Sequence, residues 1–290
     1  MRHGSWSKRL LIGLAMAWVP AGAASAFDLS VTIRDPQSYT ANQLSILTDA
    51  ADYAETLWET VVTGYQPGID IPVVPIEIRR VNTGLASANF STTTNQGGFR
   101  LATSGFVNFN ANELETFASW PRMDAGFGLN FVDDIIAHEI GHALGIGTLW
   151  DDNGLYVNNS FQYTGVFGLT AYREEFDADA AFIPVENAGG VGTMNSHWDQ
   201  LMRSSTQEGD PDDPFSLSPL IGITDAMGRD LGLELMTGAI DPDFGEPFLS
   251  NTTIQSMRDL GYTVVPEPTA GLWLAGLTLL QAAHRRKERP

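Results

Sequence analysis

The chain has 290 residues, 43% hydrophobic and 18% charged, which is enough for one large domain or two small ones and excludes a disordered chain. Between Phe27 and Val265 it carries 9 Arg, no Lys and 33 acidic residues, so the body cannot grip a phosphate backbone and nucleic acid is excluded as a partner. It has no cysteine, which excludes disulfides, thiolate metal ligands and cysteine nucleophiles.

Met1 to Arg9 is basic, Leu10 to Val19 is a short apolar run, and Ala24-Ser25-Ala26 is a small-residue cleavage site. In that order they read as a secretory signal peptide over residues 1–26, with a buried N-terminal helix as the plainer alternative. Thr40 to Val62 has apolar residues at helical spacing and ends at Gly64 and Pro67-Gly68, which predicts an amphipathic helix. Val73 to Val81 alternates around Pro75 and predicts a strand with Ile76 and Ile78 on one face. Asn82 to Gly98 is rich in Ser, Thr, Asn and Gly and reads mostly as loop. Phe99 to Asn110 contains a second strand around Phe106-Val107-Asn108-Phe109, and Asn112 to Trp120 a short helix stopped by Pro121.

Asn130 is placed to cap the next helix, with Asp133 and Asp134 in its first turn as the helix dipole prefers. Val132, Ile136, Ile140 and Leu144 form one apolar row, and Phe131, Ile135, His138 and His142 a second, so this helix should be buried. Gly145 is placed to end it. A boundary there divides the body into residues 27–145 and 146–262. In the second part Tyr172 to Ala181 predicts a helix, and Gly189-Gly190-Val191-Gly192 a tight turn. Ser205 to Pro219 is acidic and Pro-rich; it reads as a solvated loop or a calcium site, although its spacing is not that of an EF-hand. Thr252 to Leu260 predicts a last helix, capped by Asn251 or Thr253 and stopped by Gly261.

Residues 263–290 hold Pro266-Glu267-Pro268, a short apolar segment from Thr269 to Ala283, and a basic end. This order resembles the PEP-CTERM sorting signal of Gram-negative bacteria, which implies a transient membrane span and processing by an exosortase. A plain membrane anchor is the alternative, and both place the body outside the cytoplasm.

His138-Glu139-Ile140-Gly141-His142 is the H-E-x-x-H pattern. Residues four apart on a helix lie about 40° from each other around the axis, so both imidazoles can hold one zinc ion from the same side. Glu139 points about 100° from His138 and suits a general base acting on water rather than a ligand. A catalytic zinc needs three protein ligands and one open position. Of the five histidines, His3 and His284 lie in the terminal segments, so the body offers only His138, His142 and His197. Taken alone, His197 reads as an ordinary surface or core histidine; beside the motif it becomes the third ligand.

His138 to Gly145 fits the first eight positions of the metzincin motif, but residue 148 is Thr where that motif has its third histidine. Instead 51 residues separate Gly145 from His197, in the context Gly192-Thr193-Met194-Asn195-Ser196-His197-Trp198. With Glu234-Leu235-Met236-Thr237-Gly238 and the closing Thr252 to Tyr262, this resembles the leishmanolysin-like zinc metallopeptidases over roughly residues 130–262. The resemblance implies an α+β metzincin-like fold, with a small mixed sheet and a central active-site helix followed by a mostly irregular C-terminal subdomain. It also implies a Met-turn with Met236 beneath the zinc, and an exported endopeptidase acting on protein or peptide substrates. The chain departs from the family's eukaryotic members in lacking the cysteine that silences their zymogen. The strand around Phe106 to Phe109 is either an ordinary core strand or an edge for pairing with an extended substrate. The rival to an enzyme is a non-catalytic surface or matrix protein that keeps the zinc-binding fold.

Overall fold

A computed structural model describes residues 26–120, 128–187, 190, 192–199, 224–238 and 247–266. Residues 1–25, the acidic stretch 205–219 and the apolar tail segment 269–283 lie outside them, and no described helix is long and apolar enough to cross a membrane. The described residues form a mixed α/β body with one four-stranded mixed sheet and five α-helices.

Strand β1 (Leu29–Ile33) leads into helix α1 (Ala41–Val61). Thr40 and Gln43 make a reciprocal capping box at its start, which satisfies backbone donors that the first turn leaves open. A short strand β2 (Val62–Tyr65) follows the helix, and β3 (Val74–Val81) returns to the sheet. Pro75 is tolerated inside β3 for a positional reason. The Val74 N–H donates toward β1, to Asp28 O at 2.9 Å, so the missing Pro75 N–H faces the other side, where pairing begins only at Ile76.

The expected loop at Asn82 to Gly98 is instead strand β4 (Ala86–Gln96), paired antiparallel with β5 (Phe99–Asn110) through the Gly97-Gly98 turn. Both glycines have positive φ, 60° and 90°, as a two-residue hairpin requires. The sheet order is β1-β3-β5-β4, with β1, β3 and β5 parallel. None of the residues of β4 is fully buried, so its Ser, Thr and Asn cost nothing there. The same order corrects the reading of Phe106 to Phe109 as a substrate edge: β5 is an inner strand, flanked by β3 and β4.

Helix α2 (Leu114–Ala118) precedes α3 (Phe131–Leu144), which carries the motif. Every residue of α3 is buried. It packs between α1 and the β4–β5 hairpin, and it comes so close to the sheet that a Cβ on Gly105 would stand 2.9 Å from both Ala143 Cβ and Ile76 Cδ1. The opposite sheet face is open to solvent, where the Arg79 guanidinium lies 4.4 Å from the Phe106 ring centre.

The second half holds the short strands β6 (Gln162–Tyr163) and β7 (Ile183–Pro184) and two helices. Helix α4 (Val166–Glu175) begins six residues before the expected Tyr172 and ends before Ala181. Its N-cap, Gly165, offers no side chain; Asp259 accepts from Phe167 N–H at 3.0 Å and Gly168 N–H at 2.8 Å instead. Helix α5 (Asn251–Asp259) is capped by Ser250, not by Asn251 or Thr253. Its first turn also gives Asn251 N–H and Thr252 N–H to Glu175, at 3.1 and 2.8 Å. Each helix thus ends in the carboxylate that closes the start of the other, which sets the pair antiparallel. A final strand β8 (Tyr262–Val264) pairs with β2, and the buried apolar residues from Phe27 to Tyr262 form one continuous core. The two halves divided at Gly145 therefore share that core.

Candidate metal centre

The centre starts from how α3 is held. Asn130 accepts from Val132 N–H at 2.9 Å and Asp133 reaches back to Asn130 N–H at 2.6 Å, so the helix begins where the sequence places it. It ends at Gly145, whose φ is 123°. Thr148, the residue that breaks the compact motif, donates its hydroxyl to His142 O at 2.6 Å and closes the helix end. Tyr262 Oη donates to Leu144 O at 2.9 Å from β8. Trp58 of α1 donates its indole N–H to Ala137 O at 2.9 Å, which fixes the rotation of α3 one residue before His138.

His138, His142 and His197 converge, all at least nine-tenths buried. Their Nε2 atoms lie 3.0 Å apart for His138 and His142, 3.1 Å for His138 and His197, and 2.9 Å for His142 and His197. The other ring nitrogens decide which proton is where. His138 Nδ1 meets Leu235 O at 2.6 Å, His142 Nδ1 meets Ile146 O at 2.9 Å, and His197 Nδ1 meets Thr193 O at 2.8 Å. A carbonyl only accepts, so each Nδ1 carries the hydrogen and each neutral ring turns a bare lone pair inward. Three lone pairs at these distances repel one another unless a cation lies between them. Second ring nitrogens held by backbone carbonyls are what metal-binding histidines use to fix ring and tautomer. The three histidines are close enough to bind a metal ion.

Burial sets the charge states. It pushes His138 down to about 4 and His197 down to about 3, and lowers His142 well below its ordinary value, helped by the neighbouring imidazoles. The rings therefore stay neutral at ordinary pH. Glu139 follows His138 on the helix, and burial pushes its carboxyl up to about 8. Its Oε2 is buried with no hydrogen-bond partner among the described residues.

Met236 lies fully buried against α3, and a Cβ on Gly141 would stand 2.7 Å from its sulfur and 2.9 Å from Trp58. Gly141, inside the motif, is thus the residue that lets the turn carrying Met236 approach the helix. The same turn braces the centre twice: Leu235 O accepts from His138 Nδ1–H at 2.6 Å, and Met236 O accepts from Trp198 N–H at 3.0 Å, next to His197. The Trp198 ring stacks on Trp150, with centres 4.6 Å apart. On its other side the His197 segment is tied to Glu186, whose N–H donates to His197 O at 2.9 Å and whose carbonyl accepts from Asn195 N–H at 2.9 Å.

Sequence reasoning did not single out Glu234, which is buried and surrounded by donors from the turn and from the start of α5. Its signal was a carboxylate two residues before Met236, indistinguishable by composition from the many exposed ones. A scan against protein-family models and a search of curated proteins both found no match for this chain.

Proposed function

We propose that this protein is an exported zinc-dependent endopeptidase of the leishmanolysin-like kind, with His138, His142 and His197 as zinc ligands and Glu139 as general base. One observation carries the reading: three Nδ1-tethered imidazoles turn bare Nε2 atoms onto one point, and the helix that holds two of them also carries Glu139, whose buried Oε2 has no hydrogen-bond partner among the described residues. Imidazole donors suit zinc, which, held by His138, His142 and His197, would lower the pKa of a water to about 7 and polarise a carbonyl.

The remaining steps belong to the chain. Glu139 would take a proton from the attacking water and pass it to the leaving amine: burial alone raises its carboxyl to about 8, and a cation held by the adjacent histidines would favour the ionised, proton-accepting form. Met236 closes the floor against Gly141 and does no acid–base work. Among the described residues strand β4 bonds only to β5, and its outer side offers main-chain groups to an extended peptide. A buried Glu139 Oε2 with no donor among the described residues fits a proton-accepting role better than a purely structural site, which weighs against the non-catalytic alternative. The signal-like start and the PEP-CTERM-like tail fit export and sorting at a bacterial surface.

The test is chelator-sensitive hydrolysis of casein by the purified full-length protein, with metal analysis before and after. Activity that disappears with chelator and returns with zinc is expected. A zinc-loaded protein that leaves casein intact, together with a panel of unrelated denatured proteins, would overturn the peptidase reading and favour the non-catalytic one.

A further inference from the structure

Glu234 is 1% exposed, and four donors close on its carboxylate. Oε2 accepts from Met236 N–H at 2.6 Å. Oε1 accepts from Ser250 N–H at 3.0 Å, the Ser250 hydroxyl at 2.9 Å and the Thr253 hydroxyl at 2.6 Å. The hydroxyl directions follow from their other partners. Trp198 Nε1–H can only donate, and it gives to Thr253 Oγ1 at 2.8 Å, so Thr253 turns its own hydrogen to Glu234. Ser250 Oγ accepts from Thr253 N–H at 3.0 Å, and of the two acceptors its own hydrogen can reach, Glu234 Oε1 at 2.9 Å is nearer than Thr253 Oγ1 at 3.3 Å. Each carboxylate oxygen also meets a backbone N–H that cannot reverse. A carboxylate satisfies both; an amide would set its NH2 against one of them.

These bonds reach two of the three histidines. The Met236 bond shapes the turn 234–237, whose Leu235 O holds His138 and whose Met236 O holds Trp198 N–H. The Thr253 bond fixes the Trp198 indole beside His197. We propose that Glu234 is the positioning residue of the metal centre, holding His138 and His197 in register through Leu235, Met236, Thr253 and Trp198; this rests on the three histidines being metal ligands.

The experiment is zinc affinity of the full-length protein, by competition with a chromophoric chelator. The wild type is expected to bind one zinc ion. If it binds none, the ligand reading itself fails, a result distinct from those below. Glu234→Gln is expected to weaken zinc binding by about 10- to 100-fold, the usual effect of losing a partner behind the ligands. Thr253→Val, which keeps the shape and leaves Glu234 in place, is expected to weaken it in the same direction. Thr253→Ser returns the hydroxyl and should restore wild-type affinity. Glu175→Gln weakens the start of the same helix through Asn251 and Thr252 without bonding Glu234, Thr253 or either histidine; it should lower the melting temperature and leave affinity unchanged. If Glu234→Gln does not fold, the Thr253 pair decides. Wild-type affinity in Thr253→Val, or an equal loss in Glu175→Gln, would overturn the proposal and leave Glu234 a support of the fold alone.

Discussion

Gly147 lies directly against the backbone of Ser196: a Cβ on Gly147 would stand 2.8 Å from the Ser196 carbonyl carbon and 2.9 Å from its Cα. Its φ is 73°, which an L-residue adopts only at a cost of about 1–2 kcal/mol. The contact joins the turn after α3 to the residue before His197, and backbone cannot rotate out of the way as a side chain can. Gly147→Ala is therefore expected to displace His197 and to reduce zinc stoichiometry to well below one, with a lowered melting temperature. Metal analysis after gel filtration checks this.

Glu139→Gln keeps the size of the side chain and removes the base. Zinc content should match the wild type, and casein hydrolysis should fall by about 100- to 10,000-fold, the range that general acid–base catalysis supplies. Cleavage at the wild-type rate by the zinc-loaded variant would show that another group takes the proton.

The pH dependence of the metal-free protein has two arms. His138 and His197 titrate at about 4 and about 3 in the fold, against 6.5 ordinarily. Their folded values lie below the unfolded one, so the unfolded chain takes up protons first. Their contribution is whole above about pH 6.5 and lost as pH falls toward 4 and 3. Glu139 runs the opposite way, with a folded value of about 8 above an ordinary 4.5. Its contribution is whole below about pH 4.5 and lost as pH rises through 8. Thermal unfolding in chelator should thus show a melting temperature that drops on acidification. Metal-free Glu139→Gln should melt above the wild type at about pH 9 and level with it at about pH 4.

Asp259→Asn and Glu175→Gln each remove half of the reciprocal closure between α4 and α5. Both carboxylates accept two backbone N–H groups, and the amides can satisfy them only in part. Each substitution should destabilise the protein by about 1–3 kcal/mol in urea unfolding. Full zinc stoichiometry in the folded variants is expected, because neither carboxylate bonds the histidine segments directly.

Legibility followed the range of the interactions. The cap of α3 is local, Asn130 with Asp133, and Asn130 reads as the cap from the sequence alone; the box of Thr40 with Gln43 at α1 is equally local, although the apolar spacing that predicts that helix places no cap there. The convergence of His138, His142 and His197 was reachable by counting, because the body has no other histidine. The start of α4 was not, since Gly165 carries no cap and the carboxylate that replaces it arrives from Asp259. Strand β4 was missed because an edge strand with no fully buried residue keeps the polar composition of a loop. Phe106 to Phe109 showed the right element but not its neighbours, and only the sheet order places it inside. The bonds of Glu234 to Ser250 and Thr253 likewise depend on a meeting that the sequence does not spell out.

The pairing of Val62–Tyr65 with Tyr262–Val264 sets an order of events in time. Phe27, Tyr65 and Tyr262 pack their rings within 6 Å of one another, so residues from near both ends of the body meet in one small cluster. Contacts so distant along the chain form slowly. A chain emerging from its N-terminus can build the sheet early, yet Tyr65 has no strand partner and the last carbonyl of α3 lacks its Tyr262 hydroxyl until residues 262–264 appear. The body therefore stays open along this seam until residues 262–264 are in place.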